Sequence, residues 1–399
     1  MRTKGLYAVL STVLILAGCG PGRSRSDRSL GQMLQRTMED SLKDSGAIGV
    51  SAALLTPDGR LWKGAAGLSH EDVPLTPEML FDIASVHKNL QAGLALILVD
   101  NGVFGLDDPL EKWLPPYPHI DGKITIRQLL NLTSGIDDFV ADPASPYSVG
   151  YQNIDFEKIW TWEEFLDTFV GEPDFAPGEA CAYSTTNFVV LRKVIEKASR
   201  SSQTAELRKR LLKPYGLDHT VVDLLDPFPE GLQPAHGWCD TDGDGTAEDV
   251  SGRSLNWAAS LAPMLVYSNP EDMVEWMNAL FHKKTVLKDK TLKEMLTFVG
   301  PVRNEPMMKG YGLGVMDINV GMFLPKWADV RCYGHLGSQI GYTTFVGYFP
   351  DHGCSMAIMF NRGCDADTDR AVAIVSGAML DVLFNHLGLK GSMPAGQVS

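Results

Sequence analysis

The chain has 399 residues, 44% of them hydrophobic and 21% charged, with 39 Gly and 23 Pro. This ordinary globular composition excludes collagen, coiled coil and wholesale disorder, and the length exceeds the roughly 250–300 residues at which a single core stops growing, so two lobes sharing a cleft are expected. Asp and Glu (49) outnumber Lys and Arg (35), giving a net charge of −14, which repels phosphate backbones and argues against nucleic acid as a partner.

The first twenty residues bear on compartment. Arg2 and Lys4 precede an apolar stretch over 8–17 that is too short to span a bilayer. It ends in Leu16-Ala17-Gly18-Cys19, which resembles the lipobox of bacterial lipoproteins; the alternative is an ordinary secretory signal with an incidental Cys. The resemblance implies cleavage after residue 18, lipidation of Cys19, and a membrane-anchored protein facing the periplasm or the cell exterior. The other cysteines are Cys181, Cys239, Cys332, Cys354 and Cys364. Five is odd, so one thiol stays unpaired within the chain. No Cys-x-x-Cys spacing occurs, so no zinc site is expected. A disulfide is permitted outside the cytoplasm, with no readable pairing.

Residues 19–29 read as a tether. Leu30, Met33, Leu34, Met38 and Leu42 then recur at helical spacing. Two strands are expected over 50–55 and 60–66, joined by the turn Thr56-Pro57-Asp58-Gly59. From residue 85 to about 298 the patterns are mostly helical, and Thr161 with Glu164 forms a capping box. Period two returns with strands expected over 312–318, 331–334, 342–349 and 354–360, the last pair joined by Pro350-Asp351-His352-Gly353. A final helix carries Val372, Val375, Met379, Val382 and Leu383 on one face. No internal repeat is visible. Strands at both ends of a helical middle predict an α+β fold. One antiparallel sheet built from N- and C-terminal segments forms a lobe over 30–80 and 305–390. An all-α lobe occupies 81–304, and a tail 391–399.

The sharpest chemical feature is Phe81-Asp82-Ile83-Ala84-Ser85-Val86-His87-Lys88. A Ser at a helix start with Lys three positions on places hydroxyl and amine on one face. A serine hydroxyl needs a neighbour to take its proton, and a lysine can do so only when burial or nearby positive charge lowers its pKa. The apolar run Leu94, Leu96, Ile97, Leu98 supplies the means of burial. The helix N-terminus offers N–H groups to a developing oxyanion. His87 reads as a variable surface position. Asp240-Thr241-Asp242-Gly243-Asp244-Gly245 looks like the front of a calcium loop, but its twelfth position is Ser251 rather than Glu, so it reads as a solvated turn and no metal is assigned.

Further phrases follow in order: Leu106-Asp107-Asp108-Pro109, Ile124 to Leu130, Thr133-Ser134-Gly135, Pro177-Gly178, Tyr183-Ser184-Thr185, and Gly334-His335-Leu336-Gly337 with Gly341-Tyr342. With the Ser-x-x-Lys they resemble the serine β-lactamase/DD-peptidase superfamily, nearest the class C β-lactamases and the Streptomyces-type D-Ala-D-Ala carboxypeptidases. The resemblance runs from about Ala47 to the last helix and implies a β-lactamase/transpeptidase-like fold with no cofactor. It also implies Ser85 as acylated nucleophile, Lys88 as its proton partner, Tyr183 as a proton shuttle to the leaving group, and the N–H groups of Ser85 and Ser338 as oxyanion hole. Thr185, His335 and Gly337 fall at substrate-binding positions. Two of the family's polar handles are altered: Thr185 stands where an Asn amide is usual, and Leu336 where a hydroxyl helps to hold the substrate carboxylate. The expected function is a serine hydrolase working through an acyl-enzyme on a small-molecule or peptide substrate, D-Ala-D-Ala carboxypeptidase-like. An esterase or weak β-lactamase of the same fold is the alternative within the class. A non-catalytic wall-binding lipoprotein is the alternative outside it. Cleft shape is set by loops such as 137–155.

Overall fold

The computed structural model describes residues 25–139, 161–222, 228, 230–252, 266–363 and 366–391. Cys19, Cys364, most of the 137–155 loop and nearly all of the tail lie outside them. Twelve strands are present among the described residues. Eight make one sheet, and four make two small ribbons. The eight are β1 (Gly49–Leu55), β2 (Leu61–His70), β3 (Val73–Pro74), β8 (Met308–Tyr311), β9 (Met316–Ile318), β10 (Tyr333–Gln339), β11 (Tyr342–Phe349) and β12 (Cys354–Phe360). Their spatial order is β3-β2-β1-β12-β11-β10-β9-β8. Every neighbouring pair is antiparallel. The small ribbons pair β4 (Phe81–Asp82) with β7 (Tyr267–Ser268), and β5 (Trp238–Cys239) with β6 (Glu248–Asp249).

The first and last strands in sequence are joined directly, Ala52 opposite Ile358 and Ala53 opposite Ala357. β1 and β12 are buried at every residue, which requires cover on both faces. Helix α1 (Arg25–Ser45) packs with the C-terminal helix Ala366–His386 to supply one cover, and Pro270–Met277 lies against β1, β11 and β12 to supply the other. Leu34, Met38, Val375, Met379 and Leu383 are fully buried, so the apolar faces of both terminal helices are spent inside.

The two hairpin turns follow their residues: Gly59 and Gly353 adopt φ +81° and +65°, a region that suits glycine. The Thr161 box is formed on both sides, Glu164 N–H donating to Thr161 Oγ1 while Thr161 N–H donates to Glu164 Oε2. Three local expectations are corrected. The first helix starts at Arg25, inside the stretch read as a tether. The strand expected over 312–318 is confined to Met316–Ile318, because Gly314 at φ +71° turns the chain and Gly312 N–H donates to Val315 O. The strand expected over 331–334 instead runs through Gln339 and so carries the whole His335-Leu336-Gly337-Ser338 phrase.

Candidate active site

Ser85 sits in a single 3₁₀ turn, Ala84–Val86, that feeds helix α2 (His87–Asp100). Lys88 is in the first turn of that helix, so the three-residue spacing puts amine and hydroxyl together. Lys88 Nζ hydrogen-bonds to Ser85 Oγ at 2.8 Å. Ala84 holds the left-handed conformation at φ +45°, which costs a residue with a Cβ about 1–2 kcal/mol and points the serine out of the turn. Asp82 holds this bend from below. One of its oxygens accepts from Ala84 N–H at 2.8 Å and the other from Gln339 of β10. Asp82 is buried, and burial lifts its carboxyl from 3.8 to about 7.

Lys88 is 1% exposed, with its nitrogen 5.1 Å from the Tyr183 ring centre and 5.9 Å from that of Phe188. Loss of water around the ammonium brings its pKa from 10.5 down to about 7, against the pull of Asp138 in the other direction. Burial thus favours the neutral amine, which can accept a proton. Tyr183 behaves oppositely. Its hydroxyl oxygen is buried and completes no hydrogen bond, and burial drives the phenol far above its ordinary 10 even though Ser85 draws it down. Tyr183 is thus a neutral phenol in the resting protein, a proton donor rather than a base. Among the described residues the thiols are no rivals as nucleophiles: Cys181, Cys239, Cys332 and Cys354 are buried, and burial raises Cys181 and Cys354 to about 11.

β10 closes the other side. A Cβ on Gly337 would lie 2.4 Å from Ile83 O and 3.2 Å from Ser85 N, so only glycine lets this strand approach the serine turn. That approach packs β10 against the turn that carries Ser85. Leu336 is partly buried against the core and offers no polar group. His335, expected among the substrate contacts, is corrected to a supporting position. It is fully buried, with Nδ1 2.6 Å from Leu336 O and Nε2 2.9 Å from Tyr311 Oη. Leu336 O can only accept, so Nδ1 carries the proton and Nε2 accepts from Tyr311. Burial, helped by Lys88, lowers the imidazole pKa to about 3. A neutral His335 therefore anchors Tyr311, whose ring packs edge-on against Tyr183 at 6.4 Å. His87, read as a surface position, is buried too. Its Nδ1 bonds Ala84 O at 2.7 Å and its Nε2 finds no partner.

Thr185 immediately precedes the helix Thr186–Ser199, but its hydroxyl does not cap it; its backbone N–H donates to Asp138 Oδ1 at 3.0 Å. Ser134 Oγ donates to Asn187 Oδ1 and Thr186 Oγ1 to Asp137 O, stitching the Thr133-Ser134-Gly135 phrase to the Tyr183 segment. Asp82, Asp138 and Tyr311 were not singled out by sequence. Only Asp82 left a signal, as a carboxylate inside an apolar run three residues before the serine. The acidic loop lies elsewhere: Asp240, Asp242, Asp244 and Glu248 place ligand atoms within 4.8 Å of one another. Those carboxylates close the turn through its own amides, such as Gly243 and Gly245 N–H on Asp240 and Thr246 N–H on Asp244.

The Beta-lactamase family model matches residues 34–378. The chain is 28% identical to penicillin-binding protein 4* of Bacillus subtilis over 312 residues, covering 76% of this chain and 65% of that one. It is 30% identical to esterase EstB of Burkholderia gladioli over 203 residues, 47% of this chain and 50% of that one. It therefore spans less than two thirds of either relative's length. Among solved structures, D-amino acid amidase of Ochrobactrum anthropi SV3 complexed with L-phenylalanine amide superposes with a TM-score of 0.76 at 25% identity, over 90% of this chain and 99% of that one. A Ser-x-x-Lys at the head of a buried helix, facing a tyrosine and strand β10 of an eight-stranded antiparallel sheet, accompanies these matches, and the chain belongs to the β-lactamase family, within the serine β-lactamase/DD-peptidase superfamily of serine hydrolases.

Proposed function

We propose that the protein hydrolyses amide or ester bonds of D-amino-acid derivatives, as a D-Ala-D-Ala carboxypeptidase-like or related peptidase, through an acyl-enzyme on Ser85. The observation that carries this reading is the 2.8 Å contact between Ser85 Oγ and a Lys88 amine whose burial brings it to about 7. In the first half-reaction, Lys88 takes the hydroxyl proton as Oγ bonds to the substrate carbonyl carbon. The N–H groups of Ser85 and Ser338 receive the oxyanion. The bond to the leaving amine or alcohol breaks as Tyr183 gives that group its proton and regains one from Lys88. Water then repeats the sequence against the acyl carbon, releasing the acid and restoring Ser85. The relatives, a penicillin-binding protein, an esterase and a D-amino acid amidase, span this chemistry and support the substrate class.

A fluorophosphonate probe should label Ser85, and Ser85→Ala should end labelling. A panel of D-Ala-D-Ala peptides, D-amino acid amides, p-nitrophenyl esters and nitrocefin should show turnover of peptides, amides or esters well above that of nitrocefin. A penicillin carboxylate that meets Leu336 instead of a hydroxyl loses about 1.5–3 kcal/mol of charge-assisted bonding. Undiminished labelling of the Ser85→Ala protein at another residue overturns the nucleophile, and nitrocefin as the fastest substrate overturns the substrate class. No turnover of any compound would favour a wall-binding role instead.

We also propose that the protein sits on the outer side of a bacterial membrane, held through Cys19. No helix among the described residues is long and apolar enough to cross a membrane, and the support here is the Leu16-Ala17-Gly18-Cys19 phrase. The multiple acyl chains of such an anchor meet the two-signal requirement for stable attachment. Cys19→Ala should move the protein from the membrane fraction to the unprocessed or soluble one and end incorporation of labelled palmitate. Palmitate retained by the variant would count against the anchor.

A further inference from the structure

We propose that the cavity beside Tyr183 is an ammonium subsite, which receives a positively charged primary amine carried by the acyl half of the substrate. The proposal rests on the acyl-transfer reading of Ser85 and names the substrate class more narrowly. The cavity has a volume of about 550 Å³, and Tyr183 forms part of its wall. That size suits a small amino acid derivative. Tyr183 also borders the Ser85–Lys88 pair, its ring centre 5.1 Å from Lys88 Nζ, and its phenol oxygen is buried without a hydrogen-bond partner.

Among the described residues, four carboxylates line the cavity, Asp137, Asp138, Asp174 and Glu305, against one cation, Arg303. Two of the acids are held in place by backbone amides: Asp137 Oδ2 by Gly171 N–H at 3.0 Å and Asp138 Oδ1 by Thr185 N–H at 3.0 Å. Arg303 is committed in part elsewhere, its guanidinium lying 4.8 Å over the Phe175 ring. Negative charge in a concave wall is reinforced by poor access of water. The acids feel one another: burial and then Asp137 raise Asp174, with Arg303 drawing it partly back, and burial and then Asp138 raise Glu305. A cation entering the cavity relieves this crowding, whereas a carboxylate entering it meets repulsion. The charge therefore also orients the substrate, amine toward Asp174 and Glu305 and any terminal carboxylate away from them.

The test compares two reversible ligands that add to the serine oxygen, 1-aminoethylboronic acid and its N-acetyl form, as protectants of Ser85 against the fluorophosphonate. The charged boronate should protect at a concentration at least tenfold lower, with the advantage shrinking as salt is added. The double variant Asp174→Asn/Glu305→Gln should reduce the ratio below about threefold, and Arg303→Gln should widen it, an increase that a merely damaged protein would not produce. Equal protection by the two boronates, protection by neither, or ratios that ignore these substitutions overturns the subsite while leaving Ser85 as nucleophile. A Ser85 that the fluorophosphonate never labels removes the acyl-transfer reading and the subsite with it.

Discussion

Lys88→Met should abolish labelling of Ser85 and at the same time make the protein more stable. Both effects follow from burial. The amine is 1% exposed among the rings of Tyr183 and Phe188, and its pKa falls from 10.5 to about 7. For a lysine lowered in this way, the unfolded chain binds a proton below about 10.5 and the folded chain only below about 7. Folding is therefore penalised increasingly as pH falls from 10.5 to 7, and by a constant amount below that. At 1.36 kcal/mol per pH unit the full penalty approaches about 5 kcal/mol. Methionine keeps the length and apolar stem without the charge, and gives up the contacts with the two rings. A net gain of about 1–3 kcal/mol is expected, visible as a higher melting temperature at pH 7 that vanishes toward pH 11. Labelling should fall at least about 10³-fold, since the serine loses the base that activates it. In the unaltered protein, labelling should rise with pH through about 7 and then level, because the neutral amine is the active form. A methionine variant that melts lower, or that labels at the original rate, would show that Lys88 is held as a structural ammonium.

The contrast between what the sequence discloses and what it withholds is physical. β1, β11 and β12 were legible because buried strands with glycine turns have one consistent local solution. The pairing of β1 with β12 followed only from strands standing at both ends of a helical middle. Helix α1 begins earlier than its hydrophobic spacing indicates, because its first residues, Arg25 to Arg28, include none of the large apolar side chains that mark a face. The break between β8 and β9 rests on Gly314, which is indistinguishable by sequence from a glycine within a strand. At the site, Ser85, Lys88, Tyr183 and Gly337 were named because their motifs stand in order along the chain. His335 was misplaced because a histidine on a strand carries no local sign of which neighbours its nitrogens meet, and Tyr311 is 24 residues away. The acidic cavity was invisible for the same reason. Asp137, Asp138, Asp174 and Glu305 come from three separated loops, and only the fold puts them together.

Tyr183→Phe should separate two classes of substrate. The phenol is neutral in the resting protein because burial raises its pKa far above 10, so removing it takes away a proton donor and leaves the Lys88 base in place. An amine leaving group must be protonated as the C–N bond breaks, and loss of the positioned donor should slow D-amino acid amides and peptides by about 10²–10⁴-fold. A p-nitrophenolate leaves without a proton at pH 7, so formation of the acyl-enzyme from p-nitrophenyl esters should slow by less than about tenfold. The ring itself packs edge-on against Tyr311 at 6.4 Å and lies under the Lys88 amine. Phenylalanine preserves both contacts, and the variant should melt within about 1 kcal/mol of the original because it removes a hydroxyl that has no partner. The measurement is burst amplitude and rate with an ester, beside steady-state turnover of an amide. Equal slowing of both substrates would mean that Tyr183 serves acylation itself, through the serine proton. No slowing of either would mean that Lys88 manages both proton transfers and that the tyrosine only walls the cleft.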